Sequence, residues 1–177
     1  AFTSVYAYDR PGTLLDAEPP DNASQSDPIP QPTTAVDAVA DLHALLHAAG
    51  IRGPIVLAGH SFGGFLCRLY ASTYPDEVAG IVSVDAFSEA IRLGLGPEFW
   101  DLWLSTNGVL PADVLAAHPE VERINLNDAA DSMERAAREV PLRQMPLAVL
   151  TAGLTGEMAP EEIAELPAGY YDALTAT

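Results

Sequence analysis

A serine lies at the centre of a short glycine-rich segment, residues 59–64, whose sequence is GHSFGG. An apolar run at 55–58 precedes it, and a helical pattern at 65–74 follows it. This order predicts a strand, a sharp turn that carries Ser61, and a helix. In such a turn the serine hydroxyl projects beyond the sheet edge, and unpaired N–H groups of the helix face negative charge forming beside it. The pattern indicates a nucleophilic serine; the alternative is a glycine-rich turn with an incidental serine.

Two glycines flank the serine symmetrically in this turn. Gly59 lies two residues before Ser61 and Gly63 lies two residues after it. Cβ atoms at these positions are expected to collide across the corner, which glycine avoids. We therefore interpret both glycines as structural parts of the turn.

The rest of the chain alternates between strand and helix patterns. Strands are predicted at four places, residues 5–8, 54–58, 78–84 and 147–151, and helices at 35–49 and from the serine turn to residue 75. The segment 87–145 has helical patterns and no predicted strand. Strands separated by helices favour a parallel sheet, in which ligands bind at the carboxyl ends of the strands. Asp9, Ser61 and Asp85 all follow or end predicted strands.

Composition excludes some classes of partner. The chain of 177 residues has 25 acidic and 8 basic residues, a formal net charge of −17, and no lysine. Such a surface repels the phosphates of nucleic acids and anionic lipids, so neither is expected as a partner. We expect no membrane span and see no signal peptide, which leaves the compartment open and slightly favours the cytoplasm. The single cysteine, Cys67, excludes an intrachain disulfide and is expected to be buried and inert.

Four segments together resemble the α/β-hydrolase superfamily of the serine esterase type. They are residues 8–12 (YDRPG), 59–64 (GHSFGG), 74–85 (YPDEVAGIVSVD) and 146–153 (PLAVLTAG). The resemblance covers most of the chain, and its predicted strands match the family's strands four to seven in order. It implies a core with the nucleophile elbow at residues 1–86, a helical cap insertion at 87–145 and a continuation of the core at 146–177.

The resemblance also implies a catalytic triad of serine, carboxylate and histidine. Ser61 takes the nucleophile's role, and the backbone N–H of Phe62 serves as one oxyanion donor. His60, inside the elbow, is expected to point away from the serine. A serine at this position implies acyl transfer to water from an ester, lactone, thioester or amide, with a small or medium neutral carboxylic ester as the working substrate. No cofactor is implied.

Two carboxylates compete for the acid of the triad. Asp85 directly follows a predicted strand next to the elbow strand, and Glu157 follows the strand predicted at 147–151. We favour Asp85 for its place at a strand end, although it could instead cap the helical segment that follows. Asp9 is interpreted as a structural turn residue.

The four histidines do not supply the base that the resemblance requires. His43 and His47 are spaced like a metal-binding pair, but Ala44 stands where the zinc motif has glutamate and no third ligand is evident. We expect both to be solvated and expect no metal site. His118 falls in the presumed cap, and the family's catalytic histidine follows an eighth strand. The chain is therefore interpreted as incomplete at both ends, with the histidine on the missing N- or C-terminal parts of the same enzyme; the alternatives are a non-catalytic binding module and an inactive fragment.

Five apolar residues of the presumed cap are candidates for an acyl-binding pocket. At their spacing, packing between cap and core is the more common role of such residues. They are Phe99, Trp100, Trp103, Leu104 and Leu110.

Overall fold

The computed structural model describes residues 3–13, 26–151 and 167–169. In chain order the elements are α1 (Ala35–Ala48), β1 (Ile55–Ser61), α2 (Gly63–Thr73), a 3₁₀ helix (Pro75–Glu77), β2 (Val78–Ala86), α3 (Ile91–Asn107), α4 (Ala112–Ala117), α5 (Leu126–Glu139) and β3 (Leu147–Leu150).

The three strands form one parallel sheet with β2 in the middle. Leu57 of β1 pairs with Ile81 of β2, which pairs in turn with Leu147 of β3. Parallel neighbours require crossover connections, and helices supply them here: α2 links β1 to β2, and α3 to α5 link β2 to β3. The predicted α/β class and three of the four predicted strands are therefore present.

The strand predicted at residues 5–8 is not formed. These residues have no assigned secondary structure, and the side chains of Val5 and Tyr6 are 86% and 64% exposed. A strand is held by hydrogen bonds to a neighbouring strand. In the part of the chain that the structure describes, no strand pairs with this segment. The apolar pattern alone predicted the strand and carried no information about a partner.

Helix α1 begins at a complete capping box. The Thr34 hydroxyl accepts a hydrogen bond from the N–H of Asp37, and the Asp37 carboxylate accepts one from the N–H of Thr34. These contacts satisfy N–H groups that have no partner within the helix. Gly50, with a φ of +71°, follows the helix end. The cap fixes where α1 starts, and its buried Val39 joins the core.

Helix α2 lies at the centre of the core. It packs against β1, β2, α1 and α5, and its side chains Phe65 and Tyr70 are almost fully buried. Helix α5 packs against α2 and α1 through Ala129, Ala130 and Met133, all about 1% exposed. This packing places α5 beside the core helices. The division into a core and a cap at 87–145 stays a prediction.

Helix α3 is divided by a kink. Gly96 has a φ of +75° and a ψ of 165°, and Pro97 follows it. Proline has no N–H to donate within a helix, which accounts for the break. No helix within the described ranges is both long enough and apolar enough to cross a membrane.

Candidate active site

Ser61 occupies the sharp turn that the sequence predicts. It is the last residue of β1, and α2 begins two residues later at Gly63. Its φ is +50°, in the left-handed region that non-glycine residues rarely adopt. Strained backbone of this kind occurs preferentially at functional sites. The chain therefore reverses from strand to helix within one residue, at the carboxyl end of the strand.

Close contacts explain only one of the two flanking glycines. A Cβ atom on Gly59 would lie 2.5 Å from the carbonyl oxygen of Gly63 and 2.8 Å from Sγ of Cys67. A Cβ atom on Gly63 would meet nothing within 4 Å, so the expectation that Gly63 is needed for space is wrong. The second crowded position is Gly64, where a Cβ atom would lie 2.5 Å from the carbonyl oxygen of Phe87. Gly64 allows α2 to lie against the end of β2.

Asp85 lies beside Ser61 because the pairing of β1 with β2 is irregular there. His60 pairs with Val84 and Ser61 with Ala86, so Asp85 is the extra residue of a bulge. It has a φ of +43°, and Ser61 and Asp85 are the non-glycine residues with positive φ in the described ranges. The Phe87 N–H donates a hydrogen bond of 3.0 Å to the Ser61 carbonyl and fixes the two strand ends together. Bulges commonly redirect side chains next to active sites.

Asp85 does not act as the helix cap that the sequence left open. Ala90 is the N-cap residue of α3, without a side-chain cap, and its N–H donates a hydrogen bond to the Ser88 hydroxyl instead. The Asp85 side chain is exposed. Glu157, the competing carboxylate, lies outside the described residues.

The first turn of α2 presents backbone donors to the site. Its N-cap residue is Phe62, and no side chain caps the helix. The N–H groups of Phe62, Gly63 and Gly64 have no partner within the helix by its geometry, and the positive end of the helix dipole reinforces them. These groups can stabilise an oxyanion that forms beside Ser61.

The four histidines all lie in the described ranges, and none forms a hydrogen bond with Ser61 there. His60 precedes Ser61 on a strand, so the two side chains leave opposite faces of the sheet, and His60 is exposed. His118 lies 3.4 Å from the carboxylate of Glu120. His43 and His47 both contact the Glu77 carboxylate. The expectation that no third ligand group accompanies this pair is therefore wrong, whereas His47 is exposed as expected and His43 is partly buried.

Arg10 connects the N-terminal turn to the serine turn, a link that sequence reasoning did not detect. Its guanidinium donates two hydrogen bonds of 2.7 Å to Glu122, and it lies 5.7 Å from the centre of the Phe62 ring. The hydrogen bonds to Glu122 raise the pKa of Arg10, and burial raises the pKa of the neighbouring Tyr8 hydroxyl. Because Glu122 is 112 positions away, no local pattern could reveal this pair.

Aromatic packing extends from the serine turn to α3. The rings form successive edge contacts at 5.9, 5.4 and 5.2 Å, through Phe62, Phe65, Phe87 and Trp103. Trp100 stacks on Trp103, is 4% exposed, and its indole N–H donates to Asn127 at 2.7 Å. Trp100 therefore packs in the core, with Phe99, Trp103 and Leu104 partly buried against it, whereas Leu110 is 37% exposed. An acyl-binding role for these residues stays a prediction.

Comparison with known proteins identifies the family to which this chain belongs. Residues 4–143 match the family described as alpha/beta hydrolase fold. The chain belongs to this family. The match confirms the predicted family and the predicted fold class.

The individual relatives below match smaller parts of this chain than the family does. A probable transporter, efuK, of Hormonema carpetanum is 30% identical over 103 residues, 55% of this chain and 14% of the relative. Lipase LipV of Mycobacterium tuberculosis is 47% identical over 51 residues, 28% of this chain and 19% of the lipase. Among solved structures, monoacylglycerol lipase of Paleococcus ferrophilus is 22% identical, with a TM-score of 0.41, over 73% of this chain and 57% of the lipase. The chain thus spans between a seventh and three fifths of the length of these proteins.

Proposed function

We propose that this chain carries the nucleophile of a serine hydrolase, which cleaves a carboxylic ester through an acyl-enzyme. The observation that carries the proposal is the backbone of Ser61, held at a φ of +50° where β1 turns into α2. Such a turn supports a nucleophile elbow, in which the serine hydroxyl lies beside the N–H groups of the following helix. Membership of the alpha/beta hydrolase fold family supports the same chemistry.

In the proposed reaction, Ser61 Oγ forms a bond with the carbonyl carbon of the ester. Its proton passes to a histidine, and the N–H of Phe62 stabilises the negative charge that develops on the carbonyl oxygen. The tetrahedral intermediate then releases the alcohol, which takes the proton from the histidine. Water attacks the acyl-enzyme in the same manner, and Ser61 is regenerated with release of the carboxylic acid.

We assign Asp85 the task of orienting that histidine. Its place in the bulge beside Ser61, at the carboxyl end of the neighbouring strand, supports this assignment over Glu157. The histidine itself is proposed to come from outside the printed sequence, because none of the four described imidazoles forms a hydrogen bond with Ser61. The missing segments of the same enzyme would then be the partners of this chain.

We propose a small or medium neutral ester as substrate. The net charge of −17 disfavours anionic substrates. The name of LipV, a lipase, is consistent with an ester. In this proposal the segment 87–145, which follows β2, forms the cap over the serine.

Ester hydrolysis by the native gene product tests the nucleophile. We expect Ser61→Ala to lower kcat for a p-nitrophenyl ester by at least about a thousandfold, since the acyl-enzyme cannot form. Ser105→Ala, an exposed serine of α3, is the matched control and should leave the rate unchanged. Circular dichroism should show the same fold in both variants. Retained turnover in well-folded Ser61→Ala protein would exclude the serine mechanism.

A second pair of variants tests which carboxylate is the acid of the triad. Asp85→Asn should reduce kcat strongly, whereas Glu157→Gln should not. The opposite result would transfer the role to Glu157 and leave Ser61 as the nucleophile.

A non-catalytic binding module is the second candidate. It is favoured by the lack of a hydrogen bond between Ser61 and any of the four described histidines. Such a module would neither hydrolyse esters nor react with a serine-directed phosphonate while remaining folded. Those two measurements therefore separate the candidates.

A further inference from the structure

Three side chains of potential metal ligands converge far from Ser61 in the described part of the chain. His43 and His47 lie one turn apart on α1, and Glu77 ends the 3₁₀ helix before β2. Nε2 of His43 lies 3.0 Å from Oε1 of Glu77, and Nε2 of His47 lies 3.3 Å from the same oxygen. All three potential ligand atoms lie within 4.8 Å of one another.

The two distances to the Glu77 oxygen are close to the spacing of ligands around a tetrahedral metal ion. With bonds of about 2.0–2.1 Å to zinc, two neighbouring ligand atoms are about 3.3 Å apart. Two imidazoles and one carboxylate are also a ligand set that zinc accepts, with a water molecule in the fourth position.

Neighbouring side chains orient these groups. The buried Tyr70 hydroxyl donates a hydrogen bond of 2.7 Å to Oε2 of Glu77, on the far side of the carboxylate from the histidines. The Tyr74 ring stacks on His43, with ring centres 3.9 Å apart and planes 6° from parallel. Contacts of this kind, one shell beyond the ligands, fix ligand orientation and raise metal affinity.

Access to the cluster is open. The side chains of His43, His47 and Glu77 are 26%, 41% and 28% exposed, so an ion and its water can enter. The strong negative charge of the chain also favours cations in its vicinity.

Arg52 has opposite effects on a metal site and on a cluster that is held by hydrogen bonds alone. Its Nη1 lies 3.1 Å from Nδ1 of His47. A guanidinium can only donate, so Nδ1 accepts and the proton of His47 resides on Nε2, which donates to Glu77. Binding of a metal to Nε2 moves that proton to Nδ1 and displaces the positive Arg52. Arg52 therefore opposes a metal ion but stabilises a cluster held by hydrogen bonds alone.

We propose that His43, His47 and Glu77 form a binding site for a divalent transition metal ion, with Zn²⁺ as the best fit. The site joins α1 to the start of β2, about 20 Å along the strands from the carboxyl end that carries Ser61. The ion would link segments 30 to 34 positions apart in sequence and stabilise the folded chain. This site is independent of the proposed hydrolase chemistry.

Calorimetric titration of the chelator-treated full chain with ZnCl₂ tests the site. We expect one Zn²⁺ per chain and a higher Tm with Zn²⁺, but no change with Mg²⁺ or Ca²⁺, which prefer oxygen ligands. His47→Gln, at the most exposed ligand, and Glu77→Gln should each weaken binding by at least about tenfold. His118→Gln is the matched control, because it removes a histidine from a pair with one glutamate and should leave affinity unchanged.

The variant Arg52→Gln provides the most specific test of the proposed ligand arrangement. It should strengthen Zn²⁺ binding, because it removes the competing donor and a positive charge. Absence of saturable Zn²⁺ binding, or binding that either His47→Gln or Glu77→Gln leaves intact, would overturn the proposed three-ligand site. Weaker binding in Arg52→Gln would overturn the ligand arrangement through Nε2 of His47.

Discussion

Ser61 and Asp85 share an unusual backbone conformation at the ends of neighbouring strands. Both have positive φ, and the Phe87 N–H ties the first to the segment after the second. The glycine spacing around Ser61 was sufficient to predict its turn, because that turn is local in sequence. The bulge at Asp85 depends on how β1 pairs with β2, which no local pattern encodes. The place of Asp85 at a strand end was therefore predictable, and its conformation was not.

Glu77 illustrates the same limit. The sequence showed two histidines one helical turn apart, but the third group of the cluster lies 30 positions beyond His47. It reaches them only because α1 packs beside the segment that leads into β2. Tertiary packing of this kind has no signature in residue spacing.

Cys67 provides a test at the scale of one residue. Burial raises the pKa of its thiol from 9.0 to about 11. The thiolate fraction near neutral pH is therefore about a hundredfold lower than for an unperturbed thiol, and only the thiolate is reactive. We expect native protein at pH 8 to react with a disulfide reagent far more slowly than the same protein unfolded in urea. Cys67 is partly buried, where the sequence predicted a buried thiol, and equal rates in the two states would contradict this environment.

The sharp turn between β1 and α2 depends on a single close approach of backbone. Gly59 contacts the start of α2 so closely that any Cβ atom would collide with the Gly63 carbonyl group. Residue spacing correctly identified Gly59 but could not distinguish it from Gly63, because both fit the same motif. The difference arises from the direction in which each Cα–H points in the folded turn.

Two alanine variants test this difference. We expect Gly59→Ala to reduce the free energy of unfolding by about 1–3 kcal/mol or more, since backbone must move to accept the methyl group. Gly63→Ala is the matched control and should change it by less than about 1 kcal/mol, because the space is open and alanine favours helix. Urea unfolding measures both values. Similar losses in the two variants would contradict the geometry of the turn.

Prediction at the level of elements succeeded where the pattern was strong and local. The helices α1 and α2 and the strands β1, β2 and β3 all form where apolar periodicity and turn residues indicated them. The strand expected at residues 5–8 fails because pairing, not hydrophobicity, defines a strand. Within the described ranges, no strand pairs with residues 5–8.

The described part of the molecule contains a three-stranded parallel sheet, and the chain as a whole is strongly acidic. The outer edges of β1 and β3 pair with no other strand in the described ranges, and Val56, Val149 and Leu150 are 57% to 62% exposed. Four short segments of sequence predicted membership of the alpha/beta hydrolase fold family, and the match over residues 4–143 confirms it. The surface charge was likewise readable from composition alone.

The net charge of −17 predicts that salt stabilises the protein. Acidic residues outnumber arginines by three to one, so repulsion between like charges exceeds attraction, and physiological salt screens charges beyond about 8 Å. We expect Tm at pH 8 to be higher in 150 mM NaCl than in 10 mM NaCl, because the higher concentration screens the repulsion and the lower one largely does not. The rise should be smaller at pH 5, nearer the pI of about 4.2, where the net charge is lower. A fall in Tm with added salt at pH 8 would show that ion pairs such as Arg92–Glu134 outweigh the repulsion.

Labelling of the native gene product with a fluorophosphonate probe, followed by peptide mass spectrometry, tests the proposed nucleophile most directly. The probe reacts with a serine only when its hydroxyl is activated by a base and its oxyanion is stabilised. We predict a single adduct on Ser61, absent in Ser61→Ala and retained in Ser105→Ala. Well-folded protein that carries no adduct on Ser61 would contradict the serine hydrolase and favour the binding module.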